Sequence, residues 1–193
     1  SYRYFNAYFN GGVSMSTLKV DTIQNTSGTA FPMGKVLQVT SHVKTDTSSF
    51  SISSGGYHHD TNFAGSITPS STSNKILVQM TVNHGTSSNQ IAAFKLLANS
   101  STIQALRGDA SGSRLQATGC YHAEETAGST TLHITFLHSP SSTSQQTYTL
   151  EWRHNSGSTR THYINRTSDD NNASGNGMGP RLCSSIVLME IEA

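Results

Sequence analysis

Nine histidines in 193 residues are the first candidates for chemistry: His42, His58, His59, His84, His122, His133, His138, His154 and His162. Two imidazoles share a face when they stand two apart on a strand or four apart on a helix, the spacing that metal sites use. No His-x-His occurs. The one tight cluster is His58-His59-Asp60, and neighbours on a strand point to opposite faces. A metal site would then have to assemble from symmetry-related copies of one histidine about a threefold axis. The plainer reading makes most of these histidines half-exposed polar positions on strands. No metal and no cofactor is expected.

The acids are few, and catalysis by a carboxylate pair needs two of them held several ångströms apart in a cleft. Glu124-Glu125 and Asp169-Asp170 are adjacent pairs whose side chains diverge on a strand and read as solvated turn acids. There is no Gly-x-Ser-x-Gly elbow for a nucleophilic serine, no Walker pattern and no Gly-x-Gly-x-x-Gly loop for phosphate. The expectation is a protein without enzymatic activity. Cys120 and Cys183 match no zinc or redox spacing. They read either as one long-range disulfide or as two reduced, buried thiols.

The segment from Ser168 to Pro180, SDDNNASGNGMGP, is the most distinctive. It is long for a hairpin connection and rich in residues that tolerate left-handed backbone. Asp169, Asp170, Asn171, Asn172 and Asn176 offer oxygens and amides suited to sugar hydroxyls, or to Ca²⁺, although the spacing is not that of a calcium loop. A second distinctive segment opens the chain. Tyr2, Tyr4, Phe5, Tyr8 and Phe9 precede a Gly11-Gly12 hinge, a pattern that reads as an arm docking onto something else.

The elements that must position these residues are strands. Lys75 to His84 alternates Ile76, Val78, Met80 and Val82 with Gln79, Thr81 and Asn83. Leu132, Ile134 and Phe136 alternate with threonines and His133, and Tyr148, Leu150 and Trp152 with polar neighbours. Gln90 to Ala98 is ambiguous, with strand favoured over helix. Ser184 to Glu192 is apolar on both faces through Ile186 to Met189 and should be central in a sheet. Ser-, Thr- and Pro-rich clusters such as 68–74 and 139–144 punctuate these runs. That rhythm predicts an all-β fold, an antiparallel β-sandwich of jelly-roll type over residues 35–193, preceded by an attachment arm and connector over 1–34.

Composition narrows the function. Only 12% of residues are charged and the formal net charge is +1, which excludes a basic nucleic-acid footprint and a polybasic membrane binder. No apolar run is longer than four residues, as in Ile186 to Met189, so no helical membrane insertion is expected. Serine and threonine together exceed a quarter of the chain, and hydrophobic residues make up 34%. So thin an apolar content suggests a chain that finishes burying its apolar surface against copies of itself.

Several phrases carry a resemblance. Met15-Ser-Thr-Leu-Lys-Val-Asp-Thr-Ile-Gln-Asn-Thr-Ser-Gly-Thr29 resembles the opening of virion fibre proteins, of tail-fibre type, from phages of marine cyanobacteria and related hosts. Gly34 to Val39, Ile67 to Val78, Phe136 to Pro140 and Ile186 to Ile191 fit the same group. The resemblance spans nearly all of the chain after Met15 and implies architecture rather than activity. It implies a homotrimer in the virion, joined to other virion proteins of tail or capsid through its N-terminal arm. Loops such as 168–180 would then face a host-surface glycan. The aromatic arm and the small size depart from the usual fibre, which leaves a capsid decoration or head-fibre protein as the alternative. A glycan depolymerase using Glu124 with Asp169 or Asp170 is a third reading.

Overall fold

Alternation of β-branched and aromatic residues with Thr, Gln and Asn gives a chain two-faced ribbons, and such ribbons bury one face by stacking in two layers. The computed structural model describes residues 34–87, 90–123, 128–154, 157–170, 172 and 179–193. The strands there are β1 (Val36–Lys44), β2 (Ser48–Ile52), β3 (Tyr57–Ile67), β4 (Lys75–Thr86), β5 (Gln90–Ala98) and β6 (Ser101–Thr102). After one 3₁₀ turn at Gln104–Leu106 come β7 (Gly119–Ala123), β8 (Ser129–His138), β9 (Gln146–His154), β10 (Arg160–Ile164) and β11 (Ser184–Ile191). The aromatic arm, Tyr2, Tyr4, Phe5, Tyr8 and Phe9, lies outside the described residues, as do Glu124, Glu125, Asn171 and Asn176.

Every strand pairing is antiparallel. One sheet runs β1-β11-β4-β8, and the other β3-β9-β5-β7. Four strands per layer, with the chain crossing between layers at nearly every step, is jelly-roll connectivity. Two additions extend it. The β2–β10 pair joins the first sheet beyond the end of β11, where β10 takes over the edge of β4 from His84 to Thr86. The short β6 continues the second sheet past β7.

The core lies between the sheets. Ile76, Val78, Met80 and Val82 of β4 sit with Leu132 and Ile134 of β8 and with Ile186 and Leu188 of β11. They face Phe63 and Ile67 of β3, Phe94 and Leu96 of β5, and Tyr148, Leu150 and Trp152 of β9. Burying each such side chain contributes about 1.5–3 kcal/mol against the entropy of ordering the chain. As its two apolar faces required, β11 is internal, between β1 and β4. Gln90–Ala98 is a strand.

The composition suggested a chain that finishes burying its apolar surface against copies of itself; within one copy the buried cluster already draws on both sheets. The apolar surplus is outside. Strand β1 is inverted, with Gln38 and Thr40 on the interior side and Val39 and Val43 exposed at 56% and 54%. Its inward side meets polar groups: Gln38 Nε2 donates to Glu190 at 2.6 Å, and the Thr40 hydroxyl to the carbonyl of Ser66 at 3.1 Å.

Candidate functional site

In the described part of the predicted sugar-reading segment, one side chain is tied to the surrounding scaffold. Asp169, Asp170 and Asn172 are exposed. Asp170 shares its carboxylate between Arg181, at 2.7 Å, and Arg166, at 3.5 Å. Arg166 also lies over the Tyr163 ring at 4.1 Å. The Thr167 hydroxyl donates to the carbonyl of Asp169 at 2.9 Å. Upstream, Asn165 is fully buried at φ 63°, giving its amide to the carbonyls of Lys44 and Asp46 and taking the Ser184 hydroxyl at 2.6 Å. Asp169 and Asp170 are therefore surface acids, and Asp170 ties the base of the segment to Arg166 and Arg181.

Six of the nine histidines (His42, His58, His59, His122, His133 and His138) are partly or fully exposed, as expected, and three are not. His84, His154 and His162 are at most 1% exposed and form a hydrogen-bonded row. His84 Nε2 lies 3.1 Å from His162 Nδ1, His162 Nε2 lies 3.1 Å from His154 Nδ1, and His154 Nε2 lies 3.1 Å from the carbonyl of Ser158. A carbonyl only accepts, so His154 donates through Nε2. With the rings neutral, each next imidazole must also donate through Nε2, leaving a lone pair at His84 Nδ1. That atom is buried and has no partner among the described residues. His84 stacks on Trp152 at 4.1 Å, and Phe50 lies between His58 and His162 at 3.9 and 5.5 Å. Burial pulls His84 well below the ordinary value, and burial together with His154 and His58 takes His162 down to about 3. Burial also lowers His58.

The cluster at His58-His59-Asp60 diverges as strand geometry demands: His58 packs on Phe50, while His59 bonds the Thr149 hydroxyl at 2.7 Å. Asp60 is buried and accepts from the amide of Asn62 at 3.0 Å, and burial raises its carboxyl. Among the described residues no three metal-ligating side chains converge. Both cysteines are free and exposed, which corrects the buried-thiol reading; Cys120 stands opposite Ala93 on β5.

The two outward faces differ in kind. Across the first sheet, Val39, Met189, Leu77 and Leu137 stand in one cross-strand row, with Val187, Ile191 and Val43 beside it. Val39 and Leu137 are exposed at 56% and 45%. Among outward positions of β1, β11, β4 and β8, only Lys75, at the end of β4, is formally charged. The second sheet carries charged and polar groups outside, with Ile91 exposed among them. Lys95 pairs with Glu151 at 3.1 Å, and Arg153 gives a terminal nitrogen to the Tyr57 hydroxyl at 2.8 Å, its guanidinium 4.8 Å from the Tyr57 ring.

Beside Arg153 the outer surface of β5 and β7 is roofed by the 107–118 loop, enclosing a groove of about 650 Å³. The loop is built rather than draped. Gly108 donates its amide to Ala117 at 3.1 Å, Gln116 its side-chain amide to Gly108 at 2.9 Å, and the Thr118 hydroxyl to Leu106 at 2.9 Å. Its tip turns at Gly112, whose φ of 57° favours glycine. Sequence reasoning passed over this loop because it carries neither strand periodicity nor a motif.

No family model and no curated protein matches the chain. Among solved structures it is similar to the structure of infectious bursal disease virus Gx strain, with a TM-score of 0.36 and 10% identity over 89% of this chain. The match spans 46% of that structure's chain. At this distance the jelly-roll order rests on the hydrogen-bonded strand pairing described above.

Proposed function

We propose that this protein is a non-enzymatic structural component of a phage virion. In this reading it is a homotrimeric fibre or adhesin module that attaches through its N-terminal arm and displays loops to a host-surface glycan. The observation that carries the reading is the uncharged apolar row Val39, Met189, Leu77 and Leu137 on the outside of a sheet whose inner face already lies in the core. A contiguous apolar patch with almost no charge marks an interaction surface. It also meets its own copy without like-charge repulsion, which suits a symmetric homo-oligomer. The fibre-like phrases before and within the sandwich support the virion location and the threefold state.

Light scattering on the full chain tests the assembly. A mass three times the 20.7 kDa of the chain is expected, and a stable monomer at micromolar concentration overturns it. Val39→Asp with Leu137→Asp should yield a folded monomer. Incubation with neutral and acidic polysaccharides should release no reducing ends; their release overturns the non-enzymatic reading.

A further inference from the structure

We propose that the groove under the 107–118 loop binds an acidic saccharide unit, with Arg114 and Arg153 taking its anionic group. The inference rests on the display reading above and moves the recognition site from the 168–180 segment to the opposite sheet.

Three features of the groove carry it. Its size falls in the range of small-ligand sites. Its charged lining is two arginines against one acid, Asp109, an excess of positive charge in a chain with few charges anywhere. Guanidinium presents a planar fork that matches a carboxylate or a sulfate, and it is more weakly hydrated than an ammonium group. Arg153 is already oriented by the Tyr57 hydroxyl and ring, so little freedom is lost when it binds. Arg114 is exposed and held at the turn through the Ser111 hydroxyl at 3.0 Å.

The rest of the lining is amphipathic in the way a sugar is. Ile91 and Leu115 are apolar and exposed, suited to the C–H face of a pyranose ring. Asp109, Ser111 and Ser113 offer acceptors and hydroxyls for ring hydroxyls. Asp170, by contrast, is already bridged by two arginines. A second depression of the sandwich, about 580 Å³ near Ile103 and His138, has no Arg, Lys, Asp or Glu in its lining.

Calorimetry on the full chain with three oligosaccharides of equal length tests the proposal: an oligogalacturonate, a sulfated galactan and an uncharged cello-oligosaccharide. An acidic oligomer should bind, and Arg114→Ala should weaken it about tenfold or more. Binding of the galacturonate identifies a carboxylate ligand, and binding of the galactan a sulfate; either supports the groove. Equal affinity for the uncharged oligomer, or unchanged affinity in Arg114→Ala, overturns the groove while leaving glycan display standing. Binding of none of the three overturns both.

Cys120 lines the groove and supplies a second readout. In a Cys183→Ser background the acidic oligomer should slow alkylation of Cys120, and Arg114→Ala should shift that protection to about tenfold higher oligomer concentration. Alkylation at the same rate with and without bound oligomer overturns the placement.

Discussion

At the residue scale, three buried polar groups, Glu190, His84 and His162, set the response to pH. Glu190 is 1% exposed, and burial by itself would raise its carboxyl. Donors from Asn74 (2.6 Å), Gln38 (2.6 Å) and both the amide and hydroxyl of Ser70 (2.7 and 2.8 Å) outweigh that and hold it at about 2. The stability it contributes is present above the ordinary 4.5 and is lost as pH falls toward 2. His84 and His162 act in the same direction at higher pH. The unfolded chain takes up protons near 6.5, whereas folded His162 resists until about 3. Stability is therefore full above pH 6.5 and falls below it, by about 1.4 kcal/mol per pH unit for each buried imidazole that stays neutral. Urea unfolding at pH 7.5, 6 and 5 should show this, and His162→Phe should flatten the slope. Glu190→Gln should cost about 2–3 kcal/mol at pH 7, measured the same way, since it turns one acceptor into a donor among donors.

The burial of these histidines was open to a parity argument. His84 falls in step with Ile76, Val78, Met80 and Val82, and His154 with Tyr148, Leu150 and Trp152. Residues two apart on a strand share a face, so an inward apolar series carries its last member inward. Their mutual hydrogen bonding was not open to it, because His84, His154 and His162 come from three strands in two sheets.

At the element scale, strands with a clean apolar face were legible, and those whose inward face is polar were not. Nothing local marks Gln38 and Thr40 as interior residues, since Glu190 and Ser66, their partners, are remote in sequence. The groove wall likewise depends on a pairing. Gly119 lies against Phe94, and a Cβ placed there would come within 2.6 Å of the Phe94 ring. Gly119→Val should therefore destabilise the protein by about 1–3 kcal/mol through overpacking, read as a lowered urea midpoint. It should also weaken saccharide binding, because β7 forms one side of the groove.

At the scale of the whole molecule, the division of labour lies between the two outward faces. Association through the neutral face of the first sheet owes little to charge, so the oligomer mass should hold between about 0.05 and 1 M NaCl, a range over which the Debye length falls severalfold. Saccharide binding in the groove, in contrast, should weaken steadily over that range. Dissociation of the oligomer at high salt would place its contacts on the charged sheet instead, with Lys95, Glu151 and Arg153.

The order of polar and apolar residues along the chain was enough to determine an all-β protein with two-faced strands and an internal last strand, because side-chain alternation is a local property with a period of two. It was not enough to say which strand neighbours which, that one buried cluster draws on both sheets, or that Arg114 and Arg153 border one groove. Those depend on pairing between residues far apart in sequence, and only the folded arrangement of two sheets brings them together.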